Sequence, residues 1–215
     1  MEDVLEVYQL PYDPLCPVIC MDEKPYQLLG EARGPIAMKP GKPALVDDEY
    51  VRGGTCSIFV CTEPLSGYRH VNARERRTQV DWAEEIAYLL DVIYPTVPKI
   101  RLVLDNLNTH TLASLYAAFP PEKALRLSKR LELHFTPKHG SWLNIAEIEL
   151  NVMAQQCLSR RISPLQELNE QLSFWEARRN LSCGHVNWQF TTSNARTKLK
   201  RLYPIVDPDS SITWF

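Results

Sequence analysis

The chain has 215 residues, of which 45% are hydrophobic and 23% charged, with a formal net charge of −2, enough for one sizeable core and suited to a single α/β core with helical additions. No apolar run approaches the length that spans a bilayer, which excludes a membrane span, and the acidic amino terminus MEDVLEVYQL is unlike a secretory signal, so a cytosolic, reducing compartment is expected. Net charge argues weakly against a nucleic-acid partner until it is divided: residues 1–120 carry 11 basic and 17 acidic residues, residues 121–215 carry 13 and 9. Pairs such as Lys129-Arg130, Arg160-Arg161, Arg178-Arg179 and Lys200-Arg201 therefore either line a phosphate-binding face or form solvated helix surface.

In chain order, residues 1–16 read as an amino-terminal linker, and Pro17 to Met21 (PVICM) as a buried strand that stops at Asp22. From Pro25 to Gly54 the sequence is polar and rich in proline and glycine, without a period, and is expected to be a long loop or arm. Cys56 to Cys61 and Tyr68 to Val71 form two strands joined by Glu63-Pro64-Leu65-Ser66-Gly67, a hairpin that extends the sheet antiparallel. The close pairs Cys16/Cys20 and Cys56/Cys61 sit in strand-like composition, so buried free thiols are expected rather than a zinc site. From Thr78, a helix N-cap, the period becomes helical, with Val80, Ala83, Ala87 and Leu90 on one side, until Pro95. Lys99 to Leu104 is the next strand, Thr109 to Phe119 and Glu122 to Arg130 are helices, and Leu131 to Phe135 is a further strand entering Thr136-Pro137-Lys138-His139-Gly140. Helices follow after Asn144, from Pro164 to about Leu181, and from Ser193 to Leu202.

Three acids stand at structural boundaries: Asp22 after the first strand, Asp105 after the strand LVL, and Glu147 in the first turn of the helix after the last strand. If the two strands lie side by side, the aspartates end at one edge of the sheet, and a helix crossing that edge brings the glutamate to them. Clustered carboxylates raise one another's pKa, and a hard divalent cation such as Mg²⁺ relieves the repulsion. Two such ions can activate a water or hydroxyl and stabilise the leaving oxygen of a phosphodiester.

The stretches VICMDEKPYQLLGE, KIRLVLDNLNTH and LELHFTPKHGSWLNIAEIEL resemble the three catalytic blocks of the mariner-related insertion-sequence transposases, the IS six-thirty group of the DDE superfamily. The resemblance runs from about Val18 to Pro204 and ends with VNWQFTTSNARTKLKRLYP. It implies a ribonuclease H-like α/β fold, a mixed sheet with helices on both faces, whose catalytic and metal-holding residues are Asp22, Asp105 and Glu147. The cofactor implied is Mg²⁺, with Mn²⁺ able to substitute. The activity implied is phosphodiester hydrolysis at transposon ends and strand transfer into target DNA. The second and third acids are separated by 41 residues, longer than is typical, which leaves Glu149 as a competitor. Two helix positions differ by about 200°, so only one of the pair can face the site, and the family pattern Leu143-Asn144 followed by the acid selects Glu147.

The same blocks supply further candidates. Asn106, Asn108 and His110 either orient waters and phosphates around the metals or serve as helix caps and a satisfied histidine. Lys138, His139, Ser141, Trp142 and Asn144 form a polar loop with an aromatic, suited to phosphate contact and base stacking, although Trp142 could equally be packing. Arg196, Lys198, Lys200 and Arg201 either hold the DNA backbone or are a wet helix face, and Glu23, on the opposite face from Asp22, reads as structural or solvent-facing. The expected organisation is linker 1–16, catalytic domain 17–182 and basic tail helix 183–215. With about 20 residues before Asp22, the catalytic domain is expected to stand alone, as a homodimer on double-stranded DNA in the cytoplasm or nucleoid. Its helix-turn-helix reader would then be a separate polypeptide, or the chain a truncated remnant. The rival readings are another ribonuclease H-like nuclease and a catalytically silent DNA-binding or assembly module.

Overall fold

The structure, a computed structural model, describes residues 1–33, 39–41 and 48–203. Strand β1 (Val18–Glu31) lies in the middle of a five-stranded sheet. On one side it pairs antiparallel with β2 (Tyr50–Glu63), which pairs antiparallel with β3 (Tyr68–Arg74). On the other it pairs parallel with β4 (Ile100–Leu104), which pairs parallel with β5 (Leu131–Phe135). The hairpin is as the sequence predicts, and the first strand lies beside the strand before Asp105, the condition under which the two aspartates meet.

Alternation along the strands divides the core between the two faces of the sheet. Ile19, Met21, Phe59, Leu102 and Leu104 meet helices α2 (Gln79–Tyr88), α3 (Leu112–Ala118) and α4 (Pro121–Ser128). Ile58 and Val60 face α5 (Ala146–Gln156) and α6 (Leu165–Leu181), while Cys20 and Val103 face α1 (Glu2–Tyr8) and the start of α5. Helix α2 begins at the expected cap: Thr78 accepts from the Asp81 backbone N–H and Asp81 accepts from that of Thr78, satisfying two donors that a helix start leaves open. Val80 is exposed, so the buried stripe is carried by Trp82, Ala83, Ile86 and Leu90.

Two expectations change. Much of the stretch from Pro25 to Gly54 is strand: β1 continues to Glu31 and β2 begins at Tyr50, with a register shift at Leu28/Leu29; residues 34–38 and 42–47 lie outside the described residues. The β2 half of this ribbon, residues 50–55, is exposed, so its backbone pairing needs no alternation in the sequence. The amino-terminal residues are not a bare linker, because Val4, Leu5, Val7 and Tyr8 form a buried helical stripe on Cys20, Val103 and Ile145. Helix α7 (Thr192–Lys198) packs on α1 through Ala195, which ties residues 186–199 to the same core. All six cysteines are free and four of them are buried. No helix among the described residues is long and apolar enough to cross a membrane.

Candidate active site

The register of the parallel pair explains how two aspartates far apart in sequence become neighbours. Val18, Ile19 and Cys20 lie opposite Arg101, Leu102 and Val103; two residues further on, the same offset sets Asp22 level with Asp105. Because Cys20 and Val103 face α1 and α5, the period of two turns both carboxylates to that face. Strand β5 continues the pattern. Leu104 pairs with Phe135, and the next residue, Thr136, is buried and donates its hydroxyl to Asp105 Oδ1 at 2.8 Å. Thr136 is a site residue that the sequence reading passed over; the offset between LVLD and LHFT was the available signal.

Glu147 arrives from the other side of the chain reversal. Thr136 leads into a tight turn in which Gly140 N–H bonds the Pro137 carbonyl at 2.8 Å, and a Cβ at Gly140 would stand 2.6 Å from Pro137 Cγ. The 3₁₀ turn Ser141–Leu143 delivers Asn144, which is 1% exposed. Its side-chain N–H donates to the Met21 carbonyl at 2.7 Å, and its oxygen accepts from Ala146 N–H at 3.2 Å. Asn144, expected on a DNA-facing loop, is therefore a buried clamp between the start of α5 and the residue before Asp22. Asn144→Ala leaves the Met21 carbonyl unpartnered and should lower stability by about 1–3 kcal/mol; an unchanged urea midpoint would show that water replaces the clamp.

Asp22, Asp105 and Glu147 line one open cleft of about 390 Å³, together with Lys24, Ser141 and Asn151. The competitor is elsewhere. Glu149 is buried against Arg69 at 2.8 Å and Arg179 at 3.1 Å, and these guanidiniums outweigh burial and hold its carboxyl below the ordinary range. Burial pushes Asp22 up to about 7, and the charges of Asp105, Glu147 and Glu23 add to the rise against the Glu23 N–H bond it accepts. The three cleft carboxylates therefore share one field.

Glu23 points to the opposite face, as alternation predicts, and is buried there. Its carboxylate lies 2.8 Å from His110 Nε2, while His110 Nδ1 donates to the Asp105 carbonyl at 2.8 Å and the ring stacks on Trp82. Behind the cleft, the residue after Asp22 is thus braced to the backbone of Asp105. Asn106 and Asn108 are exposed in the loop between them.

Of the proposed DNA contacts, Lys138, His139, Ser141 and Trp142 are exposed near the cleft, and Trp142 meets Phe190 edge-on at 6.2 Å. Arg196 is engaged with Glu2 through two 2.7 Å bonds, an ion pair that locks α7 to α1 and leaves that guanidinium to a protein partner. Lys198, Lys200 and Arg201 are exposed. Lys198 lies over the Phe190 ring at 5.9 Å.

The three acids offer carboxylate oxygens with solvent access, and no thiol or imidazole lines the cleft among the described residues, which fits a hard divalent cation that keeps some of its waters and does not fit a thiolate- or imidazole-seeking one. Among the described residues no group of three His, Cys, Asp or Glu side chains already surrounds one point at ligand distance. The carboxylates would have to turn toward a common point, and Asp105 can offer its Oδ2 to an ion while Oδ1 keeps the Thr136 hydroxyl.

A family model described as DDE superfamily endonuclease matches residues 17–169. Among solved structures, the chain is similar to the Mos1 mariner paired end complex with Mn, with 18% identity, a TM-score of 0.51, and coverage of 79% of this chain and 53% of that one. It is similar also to the Mos1 transposase paired-end complex with left transposon end (16% identity, TM-score 0.50, 79% and 53%) and to a pre-cleavage Mos1 transpososome (16%, 0.50, 79% and 55%). No curated protein matches. At these identities the likeness is one of fold, and the mixed sheet with helices on both faces is that of ribonuclease H-like transposase catalytic domains. The chain spans about half the length of those Mos1 chains.

Proposed function

We propose that this chain, which belongs to the DDE superfamily endonucleases, cuts double-stranded DNA at the ends of a mobile element and joins the freed ends to a target, with Asp22, Asp105 and Glu147 as its metal-holding acids. The observation that carries the reading is the delivery of three carboxylates, from β1, β4 and α5, to one open cleft. A divalent cation bound there, Mg²⁺ or in its place Mn²⁺, would lower the pKa of an attacking water or 3′ hydroxyl and offset charge on the leaving oxygen. The rest is the work of the chain. Asp22 and Asp105 hold fixed positions because they end adjacent strands. Thr136 fixes the Asp105 carboxylate, the Glu23–His110 brace fixes the Asp105 backbone, and Asn144 fixes the approach of Glu147. Ser141 and Lys24 line the same cleft and would meet a phosphate bound in it. Two copies of the chain would act on paired DNA ends.

Incubation of the full chain and Mg²⁺ or Mn²⁺ with linear duplex, four-way junction and RNA–DNA hybrid tests the reading. Nicking of duplex that leaves a 3′ hydroxyl is expected; exclusive cutting of junction or hybrid would assign the site to another kind of nuclease.

The Asp22 environment adds a pH dependence. In the fold Asp22 keeps its proton up to about pH 7, whereas an unfolded chain loses it near pH 4. The metal-free protein therefore loses stability as pH rises between these values, and the loss is complete above the folded value. Cation binding favours the carboxylate and must displace that proton below neutrality. Mn²⁺ should therefore raise the melting temperature more at about pH 8 than at about pH 5.5; equal shifts would remove Asp22 from the ion's surroundings.

A further inference from the structure

The basic pairs along the second half of the chain are split by the fold. In three of them one arginine is committed internally: Arg130 donates to the carbonyls of Leu90, Tyr94 and Val97, Arg161 to those of Asp48 and Glu49, and Arg179 to Glu149. Two of the remaining partners come together. Arg160, in the loop after α5, and Arg178, on α6, line one groove of about 410 Å³ with Gln156, Gln171 and Phe174, and among the described residues no carboxylate lines it.

The groove is built. Trp175 Nε1–H donates to Gln156 at 3.1 Å and joins its two helices, Arg160 donates to Gln171, and Tyr26 on β1 donates to the Arg160 carbonyl at 3.3 Å. Gln171, Phe174 and Arg178 recur at the three- and four-residue spacing that puts them on one helix face. Phe174 is 72% exposed, more than any other aromatic among the described residues. The buried thiol of Cys157 in the groove wall feels the positive charge of both guanidiniums, which oppose the upward push of its burial.

The groove lies on the same face of the sheet as the acids, across α5 from them. Gln156 is nine positions beyond Glu147, about 14 Å along the helix and half a turn around it. The exposed ridge between, Ile148, Asn151 and Gln155, carries no charge and so does not repel phosphate. A rise of 14 Å corresponds to about four steps along one strand of B-DNA.

From this we infer that the Arg160–Arg178 groove is a phosphate-backbone subsite for DNA that passes over α5 into the carboxylate cleft, with Phe174 lying against a sugar or base at its rim. The inference rests on the DNA-cutting reading of that cleft, and names where the same duplex is held about four steps away. Each arginine contributes one phosphate contact.

The test is fluorescence anisotropy of a labelled random-sequence duplex binding the full chain in EDTA, so that no cleavage intervenes, across a salt series. Arg160→Gln, Arg178→Gln and the double variant are compared with wild type and with Arg126→Gln, whose guanidinium pairs with Asp91 on the opposite face. Each groove variant should weaken binding about tenfold near 0.1 M salt and flatten the slope of log K against log salt by about 0.9, the double variant by about twice that. Arg126→Gln should change neither. A double variant that binds with wild-type affinity and slope overturns the subsite, as does a wild-type chain that binds no duplex. So does loss of self-association by the double variant without loss of DNA affinity, which would assign the groove to a second copy. Mn²⁺ thermal stabilisation of the same proteins separates the two readings: if it persists in the double variant but is lost in Asp22→Asn, only the groove assignment is at issue.

Discussion

Asp105→Asn should lower metal-dependent cleavage of duplex DNA by at least about 1000-fold, about 4 kcal/mol of barrier, while circular dichroism and the melting temperature hold. The amide is nearly isosteric with the carboxylate. Its carbonyl oxygen can still accept the Thr136 hydroxyl, and its backbone carbonyl still takes the His110 N–H, so both supports of the position survive. What is lost is one anionic oxygen, replaced by an N–H₂ that repels a cation, in a cleft where Asp22 and Glu147 then have too little charge to hold it. Removing one of three mutually repelling carboxylates should leave the metal-free fold as stable as before or slightly more so. Cleavage within about tenfold of wild type, on a variant that melts normally, would remove Asp105 from the chemistry.

Glu149→Leu is expected to have the opposite signature. It should destabilise the fold by about 3–5 kcal/mol, because Arg69, 1% exposed, would lose its carboxylate partner while staying buried. Arg69 also donates to the Gly67 and Gly184 carbonyls, at the β2–β3 turn and the end of α6, so the pair joins α5, α6 and the hairpin at one point. Glu147→Gln, two positions away, should leave the urea midpoint unchanged and abolish cleavage. Both midpoints come from denaturation curves of purified protein; a stable Glu149→Leu variant would mean that water or a shifted Arg179 satisfies Arg69, and that the network is incidental to the fold.

These two glutamates show what sequence could decide and what it could not. Residues of both kinds sit on one short helix whose apolar pattern is too broad to orient it. A family pattern chose Glu147, but the reason Glu149 is excluded lies in two arginines 80 residues before it and 30 after it. The strands around Asp22 and Asp105 were legible because an apolar run ending in an acid is a local signal, whereas their parallel pairing is a long-range contact that no local signal carries. The register that sets the aspartates level was not legible, since it depends on long-range pairing. Asn144 was misjudged because a polar residue in a polar loop looks exposed; only the Met21 carbonyl above it explains its burial. The β1–β2 ribbon beyond Tyr26 escaped notice for a different reason, since much of it buries neither face and leaves little period in the sequence. Arg160 and Arg178 each looked like half of an ordinary basic pair, and the fold alone separates them from their neighbours.

Diffraction from crystals of the full chain soaked in Mn²⁺, with the ion located by its anomalous signal, bears most directly on the convergence of the three acids. The account predicts a peak in the cleft within about 2.0–2.3 Å of oxygens from Asp22 and Asp105, with Glu147 turned toward it, and its disappearance in Asp22→Asn. A cleft that stays free of Mn²⁺ at saturating ion with a DNA end bound, or an ion held by other residues, would contradict it.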